Sequence, residues 1–532
     1  VHDGAHQLER QLDPRDHATY FRYDPAGRLT HQKDALLHET YLGFDLAGQL
    51  VKTTDARGHS TLFEHDPRGW PHRTETAIGA VTYLVHDAEG NRVRTVDPRG
   101  HATYFTFDLA GRQTHAQDAL EGVTYTGYDP RNQVVLRLDE LGAPTYFAYD
   151  DAGRVRRVVS PSKLSTSFTH DLVGNLLSTN LGAGWSRQRW GTTGYGGERV
   201  ETTRVYDAGN RLQRVTDALG GETYFGHDRT GNLELVVDAR GYATYHTYDA
   251  LSRRTHTKDG VHFASTYLGY DPAGNAVLQV DTLGAATYLT YDPLSRPEFV
   301  HDPDGALAYF VHDPVGNQTE RHVLLGAGGE RRSTYLQFDP ANRVVKQLAP
   351  DTGATYFERD LSNNLVRLVD PEGRPTYLGY DALDRQTTRR NAFDDTWTTT
   401  YDARSSVLRR IDPEGRTAYY GHDAARRLLH QSNALGEFTY FSYDRRFLTH
   451  VTNPRGFTTY LRHDLLGRRT HTIDAPGGVS YAGYDANHNR VLTLDPRSNP
   501  TYLAYDGLGR LSRVTDAAER GLGLRGRRGR DH

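Results

Sequence analysis

The stretch Thr19-Tyr20-Phe21-Arg22-Tyr23-Asp24-Pro25-Ala26-Gly27-Arg28-Leu29 decides how the whole chain is read, because versions of it return almost to the C-terminus. Aligned on the aspartate of the Tyr-Asp pair, the series runs Asp3, Asp24, Asp45, Asp66, Asp87, Asp108, Asp129, Asp150 and Asp171 at intervals of 21 residues. It resumes at Asp207, Asp228, Asp249, Asp271, Asp292 and Asp313. It then continues through Asp339, Asp360, Asp381, Asp402, Asp423, Asp444, Asp464, Asp485 and Asp506, which makes 24 repeats. A fixed period in this range marks an architecture in which one supersecondary unit stacks on the next and none is stable alone.

Asp24-Pro25-Ala26-Gly27 carries turn chemistry: Asp at the first position, Pro presetting φ, and Gly for the left-handed conformation that closes a bulged hairpin. The same chemistry returns half a repeat later, as in Asp55-Ala56-Arg57-Gly58, Asp97-Pro98-Arg99-Gly100, Asp217-Ala218-Leu219-Gly220 and Asp412-Pro413-Glu414-Gly415. About six residues remain between turns, an ordinary strand length. The unit is therefore strand, turn, strand, turn, almost wholly antiparallel β with nearly no helix. The residue before the repeat aspartate is Tyr in 12 repeats, Phe in 3, His in 8 and Arg at Arg359. Two residues earlier stands Phe or Leu (Phe21, Leu42, Phe63, Leu84, Phe105), and period-2 alternation puts both positions on one face, which is expected to be buried. Tyr20, Tyr41, Tyr83, Tyr104 and Tyr125 fall on the opposite face unless a bulge intervenes. Asn replaces the turn glycine at Asn132, Asn210, Asn342 and Asn363, the next best residue for φ > 0. Ser252, Ser295, Arg426 and Phe447 break that rule and predict another turn type or local strain.

One elongated or curled array accounts for residues 1–516, with insertions near 178–199 and 325–332. Residues 517–532 are Gly/Arg-rich and read as a disordered tail or the product of truncation. The hydrophobic fraction of 36% and mean hydropathy of −0.70 are low for a compact core, and 34 Tyr supply amphipathic bulk instead. No window reaches the ~18 apolar residues of a membrane span. A formal charge of −4 gives no overall basic field for nucleic acid. The chain has no cysteine, which excludes disulfides, thiolate metal sites and cysteine nucleophiles. The first repeat begins mid-strand at Val1, so the sequence reads as a fragment.

The repeated Tyr-Asp-x-x-Gly-Arg-Leu, with Asp-x-x-Gly and Thr-Tyr following, resembles the RHS repeat, also called the YD repeat, from residue 1 to about 516. The resemblance implies hairpins spiralling into a hollow β-shell, here incomplete at both ends. It implies a place among bacterial polymorphic-toxin shells, the BC shells of insecticidal toxin complexes and the teneurins, hence a secreted or cell-surface location. It also implies an encapsulated toxin or effector polypeptide, or flanking shell domains, as partner. The Asp-Pro-x-Gly-Leu-type self-cleavage signature of bacterial members is missing: Asp302-Pro303 and Asp370-Pro371 sit at repeat turns.

Chemistry beyond structure has little to stand on. An aspartate at the first position of a turn bonds local backbone N–H groups, which accounts for the repeat carboxylates without catalysis. The histidines are positional (His31, His115, His256, His471), and only His65 and His86 share a slot in consecutive repeats, so no metal set converges. Asp302-Pro303-Asp304-Gly305 imitates the start of a calcium loop but lacks its remaining ligands. Asn317-Gln318-Thr319 is a glycosylation sequon that counts only in a secretory pathway. No catalytic, cofactor or metal residues are assigned. The ligand-binding candidates are Trp185, Trp190 and Tyr195, in the Gly-rich insertion. The first functional reading is a non-enzymatic shell; the second is an extracellular surface whose tyrosine rings bind a cell-surface glycan or a protein; a hydrolytic reading ranks last. Rings packed between hairpins favour the first and accessible rings the second. Two further expectations follow: a β-branched residue at Gly153 destabilises its hairpin by roughly 1 kcal/mol or more, and unpaired terminal hairpins make the isolated chain associate end to end or fray.

Overall fold

Alternating turns and six-residue β-rich segments leave the backbone one economical way to satisfy its donors and acceptors, which is to pair each segment with the next. The computed structural model of the chain shows this, and it describes residues 1–2, 4–183, 200–260, 263–325, 329–444, 446–506, 509–516 and 521–523. Among them are 48 strands and no helix. Strand Ala18–Tyr23 pairs antiparallel with Leu29–Lys33, which pairs in turn with Glu39–Phe44, and the same scheme recurs repeat after repeat.

The chain divides into two compact units. One comprises Val1–Tyr125, Tyr267–Ser405 and Ile411–Glu414; the other comprises Thr126–Thr266, Ser406–Arg410 and Gly415–His532. Within each unit a row of hairpins from the first half of the sequence lies against a row from the second half.

The register explains the two faces. Arg22 opposes His31 and Tyr23 opposes Leu29, so Thr30 is the extra residue of a bulge in the returning strand. The aromatic strand stays regular, and Phe21 and Tyr23 share one face while Tyr20 and Arg22 occupy the other. The expected burial of the Phe21/Tyr23 face is corrected here: it is only half-buried, and no large side chain among the described residues is fully buried. The buried apolar residues are Ala80, Ala143, Val200 and Ala306. A wall one sheet thick has no second layer to cover either face.

The turns follow the expected design with informative exceptions. Gly27 and Gly58 have φ of 82° and 85°, and Asn132, Asn210, Asn342 and Asn363 are left-handed as well. Ser252, Ser295 and Arg426 keep the same turn, each donating its amide to the repeat aspartate's carbonyl, at φ between 59° and 63°; strain is present there without a change of turn type. Asp384, Ser405 and His488 do the same and escaped the sequence reading. Phe447 does adopt another turn: the Asp444 amide donates to the Phe447 carbonyl, one residue earlier than elsewhere. At the second insertion the hairpin grows by longer strands, Gln318–Leu324 and Arg331–Phe338, with Leu324 opposite Arg331.

Candidate functional site: the turn edges and the arginine seam

In the turn that follows each aromatic strand, hereafter the first turn, the aspartate does the local work. Oδ1 of Asp24 accepts the amides of Ala26 at 2.9 Å and Arg28 at 3.0 Å, while Oδ2 accepts Nε of Arg28 at 2.7 Å. That guanidinium hydrogen bond, followed by the Arg28 amide, holds the Asp24 carboxyl below its ordinary range. Where Asn stands in place of this arginine the carboxylate keeps a partner: Nδ2 of Asn91 donates to Asp87 Oδ2 at 2.9 Å. The Asp228 carboxyl is lowered to about 2 by the Thr230 hydroxyl and the Asn232 amide.

The arginine also joins one turn to the next. Nη1 of Arg154 donates to the Asp171 carbonyl at 2.6 Å, Arg343 to that of Asp360 at 2.8 Å, and Arg427 to that of Asp444 at 2.9 Å. The tyrosine before the aspartate makes a second lateral tie. Tyr149, Tyr248 and Tyr401 each donate their hydroxyl at 2.8 Å to a carbonyl at the start of the preceding repeat's returning strand, on Val134, Leu233 and Gln386. That residue opens the bulge, where the regular ladder is interrupted.

A third set of contacts joins rows far apart in sequence. In the first unit, Arg57, third residue of a second turn, donates Nη2 at 2.7 Å both to the Asp339 carbonyl and to Oδ1 of Asn342, with Nη1 3.5 Å from the Asp313 carboxylate. Arg15 reaches the Pro293 carbonyl, the Ser295 hydroxyl and the Asp271 carboxylate at 3.3, 2.9 and 3.7 Å. Arg99 reaches the Asp381 carbonyl, Asp384 and the Asp360 carboxylate at 2.8, 2.5 and 3.7 Å. Each guanidinium is thus wedged between two consecutive first turns of the facing row. In the second unit Arg240 does the same between Asp485 and Asp506, at 3.6 Å from the Asp485 carboxylate and 3.4 Å from the Asp506 carbonyl, and Asn487 donates to Asp238. These arginine side chains are 12 to 16% exposed, unlike ordinary surface arginines. The seam has a receiving pattern. An Asn four residues after the first aspartate bonds the left-handed residue of the next turn, as Asn317 does to Asn342 at 2.9 Å and Asn275 to Ser295 at 3.1 Å. Sequence reading missed the seam, although in the first unit its signal was there: Ser295, Asn342 and Asp384 replace the turn glycine where Arg15, Arg57 and Arg99 land, whereas Arg240 meets the glycine turn of Gly509.

The face opposite Phe21 carries a row of half-exposed rings, many of them facing a cation or imidazole on the neighbouring strand. Tyr41 stacks on His31 at 4.7 Å, Tyr104 lies under Arg94 at 5.5 Å, and Tyr356 under Lys346 at 5.4 Å. A groove of 1020 Å³ runs along it in the first unit, lined by Tyr20, Arg22, His31, Lys33, Glu39 and Tyr41 among others. The Tyr41 hydroxyl donates to Glu39 and holds that carboxyl below its ordinary value.

The chemistry of this arrangement is mechanical: carboxylates tie backbone, guanidinia tie rows. Among the described residues no group of three or more His, Asp or Glu could hold a metal ion, and no helix is long and apolar enough to cross a membrane. Gly305 closes the Asp302 turn at φ 84°. Trp185, Trp190 and Tyr195 lie outside the described residues.

The RHS Repeat family profile matches residues 44–80, about one and three-quarter periods of the array. The crystal structure of TcdB2-TccC3 superposes with a TM-score of 0.66 over 94% of this chain, at 13% identity. Residues 44–80 thus carry an RHS repeat, and the array that extends their period shares the fold of this toxin-complex chain. TcdB2-TccC3 without its hypervariable C-terminal region gives the same TM-score at 12% identity, and the Tc holotoxin pore of Photorhabdus luminescens gives 0.56 over 96% of the chain at 13% identity. The chain spans about a third of those solved chains, 34% and 36% of the two TcdB2-TccC3 structures. At such identities the likeness establishes the fold: an all-β array of antiparallel hairpins, not closed into a barrel. No curated protein sequence matches the chain.

Proposed function

We propose that this RHS array is a wall segment of a non-enzymatic shell whose work is to enclose a C-terminal toxin or effector polypeptide, in a protein destined for secretion or the cell surface. The observation that carries the proposal is the arginine seam. Rows of hairpins only one sheet thick, with hardly any buried core, are fastened edge to edge by guanidinia wedged between turns, a design that makes area at the expense of a compact interior. The fold shared with Tc toxin chains, one of them crystallised without a hypervariable C-terminal region, supports the same reading.

Limited proteolysis of the natural full-length polypeptide tests it. A downstream segment protected in the intact protein, and cut when Arg57 and Arg99 are both replaced by alanine, is the expected result. Cutting at the rate of the free segment would overturn the enclosure.

The half-exposed tyrosine row supports a second reading, in which that face binds a glycan or protein at a cell surface: Tyr20, Tyr41, Tyr83 and Tyr104 are each 41 to 47% exposed. The Tyr23 series, by contrast, is packed between hairpins. Quenching of tyrosine fluorescence by a glycan panel, with no response from Tyr41→Ala/Tyr104→Ala, is the result this reading requires.

A further inference from the structure

The hairpin lengthened by the second insertion holds a cluster set apart from the repeat pattern. Its strands Gln318–Leu324 and Arg331–Phe338 extend two residues past the level of Lys33 and Glu39, the last pair before the turn in the corresponding hairpin near the N-terminus. Glu320 opposes Tyr335, His322 opposes Ser333 and Leu324 opposes Arg331, so alternation puts Glu320, His322, Arg331, Ser333 and Tyr335 on one face. His322 is only 3% exposed, its ring stacked on Tyr309 at 5.8 Å and edge-on to Tyr335 at 5.7 Å.

Its hydrogen bonds fix where the ring carries its proton. Nε2 lies 2.8 Å from Oε2 of Glu320, while Nδ1 lies 2.8 Å from Oγ of Ser333 and 3.0 Å from Nη2 of Arg331. A guanidinium only donates and a carboxylate only accepts, so Nδ1 carries the lone pair and Nε2 the proton. Ser333 can then meet Nδ1 only by donating its hydroxyl proton to it. Satisfying a buried imidazole takes one partner on each nitrogen, which Glu320 and Arg331 already provide. Ser333 is additional, and the order hydroxyl, imidazole, carboxylate is the one in which a base activates a nucleophile and a carboxylate orients the base.

Other hairpins supply the contrast at the same level. Ser60 stands six residues before its repeat aspartate, as Ser333 does, and is half-buried like it. Its oxygen lies 2.9 Å from the Thr54 hydroxyl, and Thr458 faces Thr452 at the same distance. A hydroxyl facing a hydroxyl has no base to receive its proton. Glu320, seven residues after its aspartate, takes the position that His31 holds in its own repeat, and Arg331 comes from the insertion.

We infer that Ser333 is a nucleophile that takes the acyl group of a carboxylic ester, with His322 as its base and Glu320 as a positioning residue. Oγ of Ser333 bonds to the ester carbonyl carbon while its proton passes to Nδ1 of His322. The bond from that carbon to the leaving oxygen then breaks, and the alcohol departs with the proton from Nδ1. Arg331 must release Nδ1 as the proton arrives, which leaves a cation near the reacting centre as the carbonyl oxygen becomes negative. The acyl group stays on Ser333 as an ester. The ring that would activate a water lies under Tyr309 and Tyr335, so each chain reacts once.

Acetylation of the natural full-length polypeptide by p-nitrophenyl acetate, quenched in acid over a time course and mapped by peptide mass spectrometry, tests this. Ser333 should gain an acetyl group at least about a hundredfold faster than Ser60, the contribution of a positioned base. Ser333→Ala should remove that acetyl group, and His322→Phe, which keeps an aromatic ring against Tyr309, should slow its arrival about a hundredfold. Glu320→Gln separates orientation of the base from packing. Without the carboxylate the imidazolium is less stable, so the fall in rate on acidification should move to lower pH. Equal rates at Ser60 and Ser333, a comparison that needs no variant, would overturn the inference. So would an unacetylated Ser333, a rate unchanged in His322→Phe, or a pH profile that Glu320→Gln leaves in place.

Discussion

Every hairpin in this array is bounded by two turns of nearly the same sequence, and the two edges they form behave differently. On the first-turn edge most glycines lie beneath the side chain of the preceding turn, Gly174 and Gly231 excepted. A Cβ on Gly90 would come within 2.8 Å of the Trp70 ring, and one on Gly153 within 2.9 Å of Gln133 Nε2. On the second-turn edge a Cβ on Gly58, Gly142 or Gly220 would meet nothing within 4 Å. The difference lies in the residue after the glycine position. In first turns it is long or polar (Arg28, Gln49, Trp70, Asn91) and lies across to the next repeat. In second turns it is more often short or a histidine paired with its own aspartate, as at Ala143, Gly221 and His59. One edge is laterally cross-linked; the other is left free to send its arginines to a different row.

Acid attacks the cross-linked edge at every repeat together, so it should have the largest effect. The Asp24, Asp108 and Asp207 carboxyls are lowered first of all by the side chain of the arginine four residues on, and Asp228 lies at about 2. A carboxylate depressed in the folded state contributes stability that is fully present above its unfolded pKa of about 4 and is lost as pH falls through the folded value. The melting temperature should therefore hold from pH 7 to about 5 and fall progressively from about 4 towards 2. Amides of first turns should lose exchange protection before those of second turns. A melting temperature flat down to pH 2 would remove the carboxylates from the account.

A single substitution should separate the edges next. Gly90→Val combines left-handed strain with a collision against Trp70 and should cost about 2–4 kcal/mol. Gly142→Val meets the strain alone, about 1–2 kcal/mol. Equal unfolding midpoints for the two would mean that lateral cover at the first-turn edge is of no consequence.

The seam comes third. Arg57→Ala leaves the Asp313 carboxylate and the Asp339 carbonyl without their half-buried cation, a loss of about 1.5–3 kcal/mol. Hydrogen exchange should accelerate at 339–343 in the far row while its own hairpin around 55–58 changes less. Uniform acceleration would show that the rows are held by something other than the arginines.

How far the sequence reaches is clear from these residues. The period, the two turns, the alternation of Phe21 with Tyr20 and the left-handed asparagines were legible, because each depends on contacts within four residues or on strand geometry. The burial expected for Phe21 was not, since alternation says which face a ring takes but not whether another layer covers it. The role of Arg28 does not follow from its place in the motif, because its second target, the Asp45 carbonyl 17 residues away, is set by how hairpins stack. The seam joins residues 282 apart. Only the polar residues in place of glycine, Ser295, Asn342 and Asp384, pointed to it, and without the facing row they look like mere strain.

The smallest effect should come from the tyrosine of the Tyr-Asp pair, and it bears on why that slot is so often Tyr. Tyr149→Phe keeps the ring between hairpins and removes only the hydroxyl that donates to the Val134 carbonyl at 2.8 Å. The pair is partly accessible, so water can replace the donor, and the loss should be about 0.5–1.5 kcal/mol. Phe44, Phe107 and Phe338 already occupy the slot, so ring packing suffices for folding and the hydroxyl adds lateral cohesion only. Because the carbonyl belongs to the preceding repeat, exchange should quicken around 134–136 more than at the substituted hairpin's own turn, 150–153. Faster exchange confined to that turn would place the hydroxyl's contribution within its own repeat and remove it from the cross-linked edge, leaving the lateral ties there to the side chains that follow the turn glycine, arginine and asparagine among them.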